Sequence, residues 1–175
     1  MRILQAKPLT AEDFAPFGQV IQCAGARHYS INEGSTQRYH DLARIEAGPG
    51  GKVIVSIFRG QPRAFPLTVA MVERHPLGSQ AFMPLQGRPY LVVVAETLDG
   101  PSARRGAPGR LHAFLARGEQ GVNYSPGTWH FPLIAVEMQS DFLVIDRAGE
   151  SANCEEHPLA EPVLLECPSA APNDG

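Results

Sequence analysis

The sequence is poor in cysteine and tryptophan and lacks long apolar runs and blocks of like charge. Its three cysteines, Cys23, Cys154 and Cys167, are odd in number and widely spaced. That pattern builds no disulfide framework and fits inert, reduced thiols in a cytoplasmic protein. "YLVVVAE" falls far short of the ~20 apolar residues that a membrane-crossing helix needs. The N-terminal "MRILQAKPLTAEDF" has neither the apolar core nor the small-residue cleavage site of a secretory leader. No run of Lys or Arg appears and the formal net charge is -3, so neither nucleic acid nor an anionic membrane is an expected partner. No internal repeat is found.

What is present is a 43% apolar fraction in 175 residues, enough for one domain with its own core. The expected domain spans residues 1–165, and residues 166–175, ending in "CPSAAPNDG", form a flexible tail. The apolar residues come in short β-rich runs: "GKVIVSIFR", "PYLVVVAE", "RLHAFLAR", "FPLIAVEM" and "DFLVIDR". Most of the 16 prolines and 17 glycines fall between these runs, as turns require. An all-β sandwich or barrel is the expected class.

One short helix, or at most two, interrupts the strands. In "LTAEDFAPFG", Thr10 followed by Asp13 resembles a capping box, and Pro16 with Gly18 ends the helix quickly. "LDGPSARRGAPGR", residues 98–110, reads as an exposed loop between two strands.

Two stretches carry candidate chemistry. In "ERHPLGSQAFMPLQG", Glu73 and His75 are two apart and share one face of an extended segment. Pro76 and Gly78 then let the chain turn before Gln80 and Phe82 enter the next strand. In "GVNYSPGTWHFPL", His130 follows a tight turn at Gly127 and opens an apolar strand, which makes it an inward-facing candidate.

These residues resemble the two motifs of the cupin barrels. Glu73, His75, Gln80 and Gly87 fall at the first motif's spacing, and Gly127 with His130 at the second's. Glu73 stands where a cupin usually has its first histidine, and Gln80 where it has a glutamate. Longer segments, "INEGSTQRYHDLA", "ERHPLGSQAFMP", "GEQGVNYSPGTWHFPL" and "DFLVIDRAGESANC", are similar in order and character to the ureidoglycolate lyase family. That resemblance implies a cupin-like double-stranded β-barrel and a homodimer. It also implies cleavage of the C–N bond of (S)-ureidoglycolate to glyoxylate and urea in allantoin degradation.

Such a cleavage needs a base for the substrate hydroxyl, an acid for the departing nitrogen and a holder for the carboxylate. Glu73, His75, Gln80 and His130 can form a shell for a divalent metal such as nickel, manganese, iron or zinc. Without a metal, His75 and His130 become the direct acid and base, and His40 beside Asp41 is a further candidate. No organic cofactor is required. Arg38 and Arg59 are candidates for the carboxylate, because a guanidinium fork matches its two oxygens. Asn32 and Tyr39 cluster near Arg38, Gln80 can also bond the substrate, and Tyr124 and Trp129 flank the second motif as candidate pocket walls, although Trp129 fits a core position better. His28, His112 and His157 read as peripheral, and Asp146 with Arg147 as a structural ion pair. Two rival functions remain at this level: a metal-dependent cupin oxygenase, since two histidines and one carboxylate suit ferrous iron, and a cupin that binds a small acid without changing it.

Overall fold

The short apolar runs and their Gly/Pro breaks become fifteen strands and one α-helix in the computed structural model, which describes residues 1–99 and 106–167. In chain order these are β1 (Arg2–Leu4), β2 (Ala6–Pro8), α1 (Ala11–Phe14), β3 (Gly18–Ile21), β4 (His28–Ile31), β5 (Thr36–Tyr39), β6 (Lys52–Gly60) and β7 (Leu67–Arg74). There follow β8 (Gln80–Pro84), β9 (Tyr90–Leu98), β10 (Ala107–Ala116), β11 (Gly121–Tyr124), β12 (Trp129–His130), β13 (Ile134–Ala135), β14 (Ser140–Ala148) and β15 (Glu155–Leu165).

One sheet runs β1-β15-β7-β12-β9-β10-β2, with β13 also on β9, and a second runs β3-β11-β8-β14-β6. The two curl into a half-barrel, so the chain has the all-β class that its pattern implied and the cupin-like fold that the resemblance implied. β4 and β5 form a hairpin that, among the described residues, pairs only with itself.

The core follows from β9. Its run Tyr90–Ala95 is buried throughout, because strand alternation gives each face a different core. Tyr90, Val92 and Val94 pack between the sheets with Phe82, Val122 and Phe142. Leu91, Val93 and Ala95 pack on the other face with Val69, Leu111 and Leu165. Each fully buried aliphatic side chain of this kind contributes about 1.5–3 kcal/mol. The site is thereby built on strands clamped from both sides.

Several local expectations change in the structure. Thr10 does cap α1, its hydroxyl accepting the Asp13 N–H at 3.1 Å, but Asp13 pairs outward with Lys7 at 2.8 Å and closes no reciprocal box. "FPLIAVEM" holds only the two-residue β13, since its Pro132 cannot donate to a ladder. β6 exists as expected, yet Val53, Val55 and Ile57 are 51%, 64% and 55% exposed, because β6 is a sheet edge that nothing among the described residues covers. The expected loop 98–110 narrows, with β9 ending at Leu98 and β10 starting at Ala107. Residues 100–105 and 168–175, which include most of the expected tail, lie outside the described residues. Asp146 and Arg147 form no ion pair: as strand neighbours they point to opposite faces. Arg147 donates to the Ala47 and Pro49 carbonyls, and Asp146 accepts from Gln80.

Candidate functional site

Two cross-strand rows face each other between the sheets. On the large sheet His130 of β12 stands opposite Glu73 of β7 on one side and Val94 of β9 on the other. On the small sheet Gln80 of β8 stands opposite Tyr124 of β11, and the β8–β14 register carries it to Asp146. Directly opposed residues share a face. Tyr124 closes the gap between the rows by stacking on the His130 ring, with centroids 4.2 Å apart and planes 14° apart.

His75 comes from the turn after β7, and that turn is tied down on several sides. The Gly127 N–H donates to the His75 carbonyl at 2.9 Å, which binds the second motif to the first. Gly127 has φ +79°, a left-handed conformation that suits glycine. The Asn153 side chain accepts the Leu77 N–H at 2.7 Å. Gly78 passes so close to the Glu46 carbonyl that a Cβ there would lie 2.8 Å from it.

Both imidazoles have a fixed tautomer. His75 Nδ1 lies 2.7 Å from the Asn153 carbonyl and His130 Nδ1 lies 3.1 Å from the Thr128 carbonyl. A carbonyl only accepts, so each Nδ1 carries a proton and each Nε2 is turned inward. Both Nε2 atoms are buried without a hydrogen-bond partner among the described residues. Between them sits Glu73, whose Oε1 is 3.5 Å from His130 Nε2 and 4.0 Å from His75 Nε2.

The charges reinforce one another. The His130 imidazole, then His75, hold the Glu73 carboxyl below the ordinary carboxylate range, against burial that pushes it up. Burial, then His130, hold His75 below the ordinary imidazole value, although the Asn153 carbonyl, Glu73 and Asp146 favour its charged form. Burial, then the Glu73 charge, raise the Tyr124 phenol and keep its proton on.

Glu73, His75 and His130 each bring a ligand atom to within 4.8 Å of the others. Two orphaned, inward imidazole nitrogens and one carboxylate oxygen suit a divalent first-row cation, and the carbonyl held by each Nδ1 is the support that metal-bound histidines keep. These three residues can hold a metal.

Beside them opens a cavity of about 480 Å³ whose lining includes Glu73, Gln80, Tyr124, His130, Arg59 and Arg63. Of the sequence candidates, Glu73, His130, Gln80 and Tyr124 line it, and His75 stands beside Glu73 at 4.0 Å without lining it. Arg59 reaches the rim, but its guanidinium is forked onto Asp141 at 2.8 and 2.9 Å. Trp129 departs from the pocket-wall expectation: strand alternation turns it away from His130 into the core, 3% exposed, with Nε1–H donating to the Gly106 carbonyl at 2.6 Å. Asn32, Arg38, Tyr39 and His40 lie on or beside the β4–β5 hairpin, outside this cavity. There Arg38 sits 5.9 Å over the Tyr29 ring, Tyr39 packs on His28 and His40 on Tyr29. The sequence reading missed the place of two residues at the site. Arg63, four residues after Arg59, lines the cavity with no carboxylate partner among the described residues, and the repeated arginine in "FRGQPR" was the signal for it. Asp146 was read only as an ion-pair partner of Arg147, because its neighbour Gln80 is 66 residues away.

A family model described as ureidoglycolate lyase matches residues 1–166. A ureidoglycolate lyase of Brucella ovis is 57% identical over 155 residues, covering 88% of each chain. One of Pseudomonas putida is 52% identical over 166 residues, covering 94% of this chain and 96% of that one. Among solved structures, a dTDP-6-deoxy-D-glucose-3,5-epimerase of Legionella pneumophila covers 77% of this chain at 12% identity and a TM-score of 0.44.

Proposed function

The chain belongs to the ureidoglycolate lyase family, and on that premise we propose that its cavity splits ureidoglycolate into glyoxylate and urea. The observation that carries this reading is the pair of inward Nε2 atoms facing one ionised carboxylate at the end of a cavity large enough for a small hydroxy acid.

The substrate carbon bears a hydroxyl, a carboxylate and a ureido nitrogen. Arg63 takes the carboxylate, since Arg59 is already committed to Asp141. Glu73, kept ionised by its imidazole neighbours, accepts the hydroxyl proton. As that O–H bond breaks, its electrons form the C=O of glyoxylate, the C–N bond breaks, and the nitrogen takes up the proton that Glu73 received to leave as urea. Tyr124, kept protonated, hydrogen-bonds the leaving nitrogen and fixes the His130 ring beneath it. Phe58, Phe82 and Leu133 on the cavity wall limit water near the breaking bond. We also propose that Glu73, His75 and His130 can hold a divalent cation; with one bound, Glu73 would serve as a ligand, and the cation would supply the lower pKa of the substrate hydroxyl in place of the free carboxylate.

Exposed Val53, Val55 and Ile57 on the β6 edge support a further proposal, association of two copies as a homodimer. In that assembly Asn32, Arg38, Tyr39 and His40, on a hairpin with no further strand partner among the described residues, would act at the second copy's cavity. Exposed free thiols at Cys23, Cys154 and Cys167 fit the reducing cytoplasm, where we place the reaction as a step of allantoin breakdown. Among the described residues no helix is long and apolar enough to cross a membrane.

Substitution of the two imidazoles tests the site. His75→Ala and His130→Ala should each lower turnover of ureidoglycolate at least ~100-fold. Near-normal rates in both would remove this cavity from the reaction and direct attention to the residues 38–41 cluster.

A further inference from the structure

Asp146 is a partly buried carboxylate at the edge of the site with no cation paired to it among the described residues. Its Oδ2 accepts the Gln80 Nε2–H at 3.2 Å, and its Oδ1 is buried without a partner among the described residues. Arg147, the nearest cation in sequence, points away and is held by backbone carbonyls. The carboxylate is therefore committed to one neighbour, Gln80.

That commitment decides which way the Gln80 amide faces. A carboxylate only accepts, so Gln80 must give it the NH2 end. The carboxamide is planar, so its carbonyl oxygen is turned away from Asp146, and Gln80 lines the cavity. Gln80 is 7% exposed and wedged between Tyr124 and Asp146 in the cross-strand row. Flipping the amide would set two acceptor oxygens against each other in a partly dry site.

We propose that Asp146 is a positioning residue that locks Gln80 with its carbonyl oxygen toward the cavity, where it accepts a hydrogen bond from the ureido N–H of the substrate. This rests on the ureidoglycolate reading and adds a specificity element to it. The ureido group is rich in N–H donors, whereas a plain 2-hydroxy acid of similar size offers none and would leave the Gln80 oxygen unpaired. Asp146 touches no substrate itself and acts only through Gln80.

A double-mutant cycle on the full-length protein tests the coupling. Gln80→Leu and Asp146→Leu should each raise KM for ureidoglycolate about tenfold, the loss of one hydrogen bond, with kcat within about threefold. The double variant should be no worse than Gln80→Leu alone, and Asp146→Asn, which keeps an acceptor, should recover part of the loss. Additive effects, or equal falls in kcat and in thermal midpoint without a change in KM, would overturn the proposal. If Asp146→Leu does not fold, the side-chain amide signals of Gln80 in the wild-type protein, assigned by their loss in Gln80→Leu, decide the matter. One slowly exchanging, shifted amide proton supports the lock, and two solvent-like protons reject it. A wild-type protein that releases no glyoxylate would sink the ureidoglycolate reading separately, because the amide spectrum reports the Asp146 contact without any turnover.

Discussion

Replacing Glu73 by Gln removes one charge and almost no volume. Its Oε1 lies 3.5 Å from His130 Nε2 and 4.0 Å from His75 Nε2, and the side chain is 20% exposed, so the substitution takes away the negative charge that both rings face. An amide cannot accept the substrate hydroxyl proton at neutral pH, and it is a poor ligand for a cation beside two imidazoles. The loss of a positioned base costs about 100- to 10,000-fold in kcat, or about 2.7 to 5.4 kcal/mol of barrier. Glyoxylate release measured on wild type and Glu73→Gln under saturating substrate gives the ratio, and thermal unfolding of both checks that the barrel is intact. The backbone pairing of β7 with β12 and β15 does not depend on this side chain, so the thermal midpoint should move by only a few degrees. A kcat within threefold of wild type in a folded variant would refute the assignment of Glu73 as base.

Other expectations follow from the same geometry. Glu73 and His75 both have folded-state pKa values below their ordinary 4.5 and 6.5, so each stabilises the fold above its unfolded pKa and loses that contribution as pH falls through its folded one. Thermal midpoints should therefore drop between pH 7.5 and pH 4, and a His75→Gln variant should show a shallower drop; an unchanged slope would contradict the burial of a neutral His75. Arg63→Ala should raise KM for ureidoglycolate by about ten- to a hundredfold, as expected for loss of a charged hydrogen bond, whereas Arg59→Ala should change KM less; steady-state kinetics showing the reverse order would move the carboxylate to Arg59. Val55→Asp combined with Ile57→Asp should shift the protein to a monomer in light scattering, because charges on an edge strand block pairing; an unaltered mass would place the interface elsewhere.

Much of the site was legible because turn chemistry marks it. Pro76 and Gly78 fix the corner that presents His75, and Gly127 fixes the one before His130, so both histidines could be placed beside strand ends from local sequence. The direct opposition of His130 and Glu73 was not legible, since it depends on which of many strands β12 pairs with. Asp146 was read as the partner of Arg147 because they are adjacent in sequence. In a strand that adjacency sends them to opposite faces, and the real partner sits on β8. Alternation in β6 suggested a half-buried strand, but only the sheet order shows that it lies at an edge. "FPLIAVEM" misled for a related reason: apolar content placed it inside, yet Pro132 and the positive φ of Glu137 leave it little regular ladder.

Product analysis tests the proposed reaction most directly. Purified protein, stripped with chelator and then incubated with ureidoglycolate with and without nickel, manganese, iron or zinc, is assayed at once for glyoxylate, urea, ammonia and oxygen uptake. Glyoxylate and urea in equal amounts, with no ammonia and no oxygen consumed, is the expected result, with turnover rising when a metal is restored to the Glu73, His75 and His130 cluster. Ammonia in place of urea, or oxygen uptake in step with turnover, would contradict a lyase at this site.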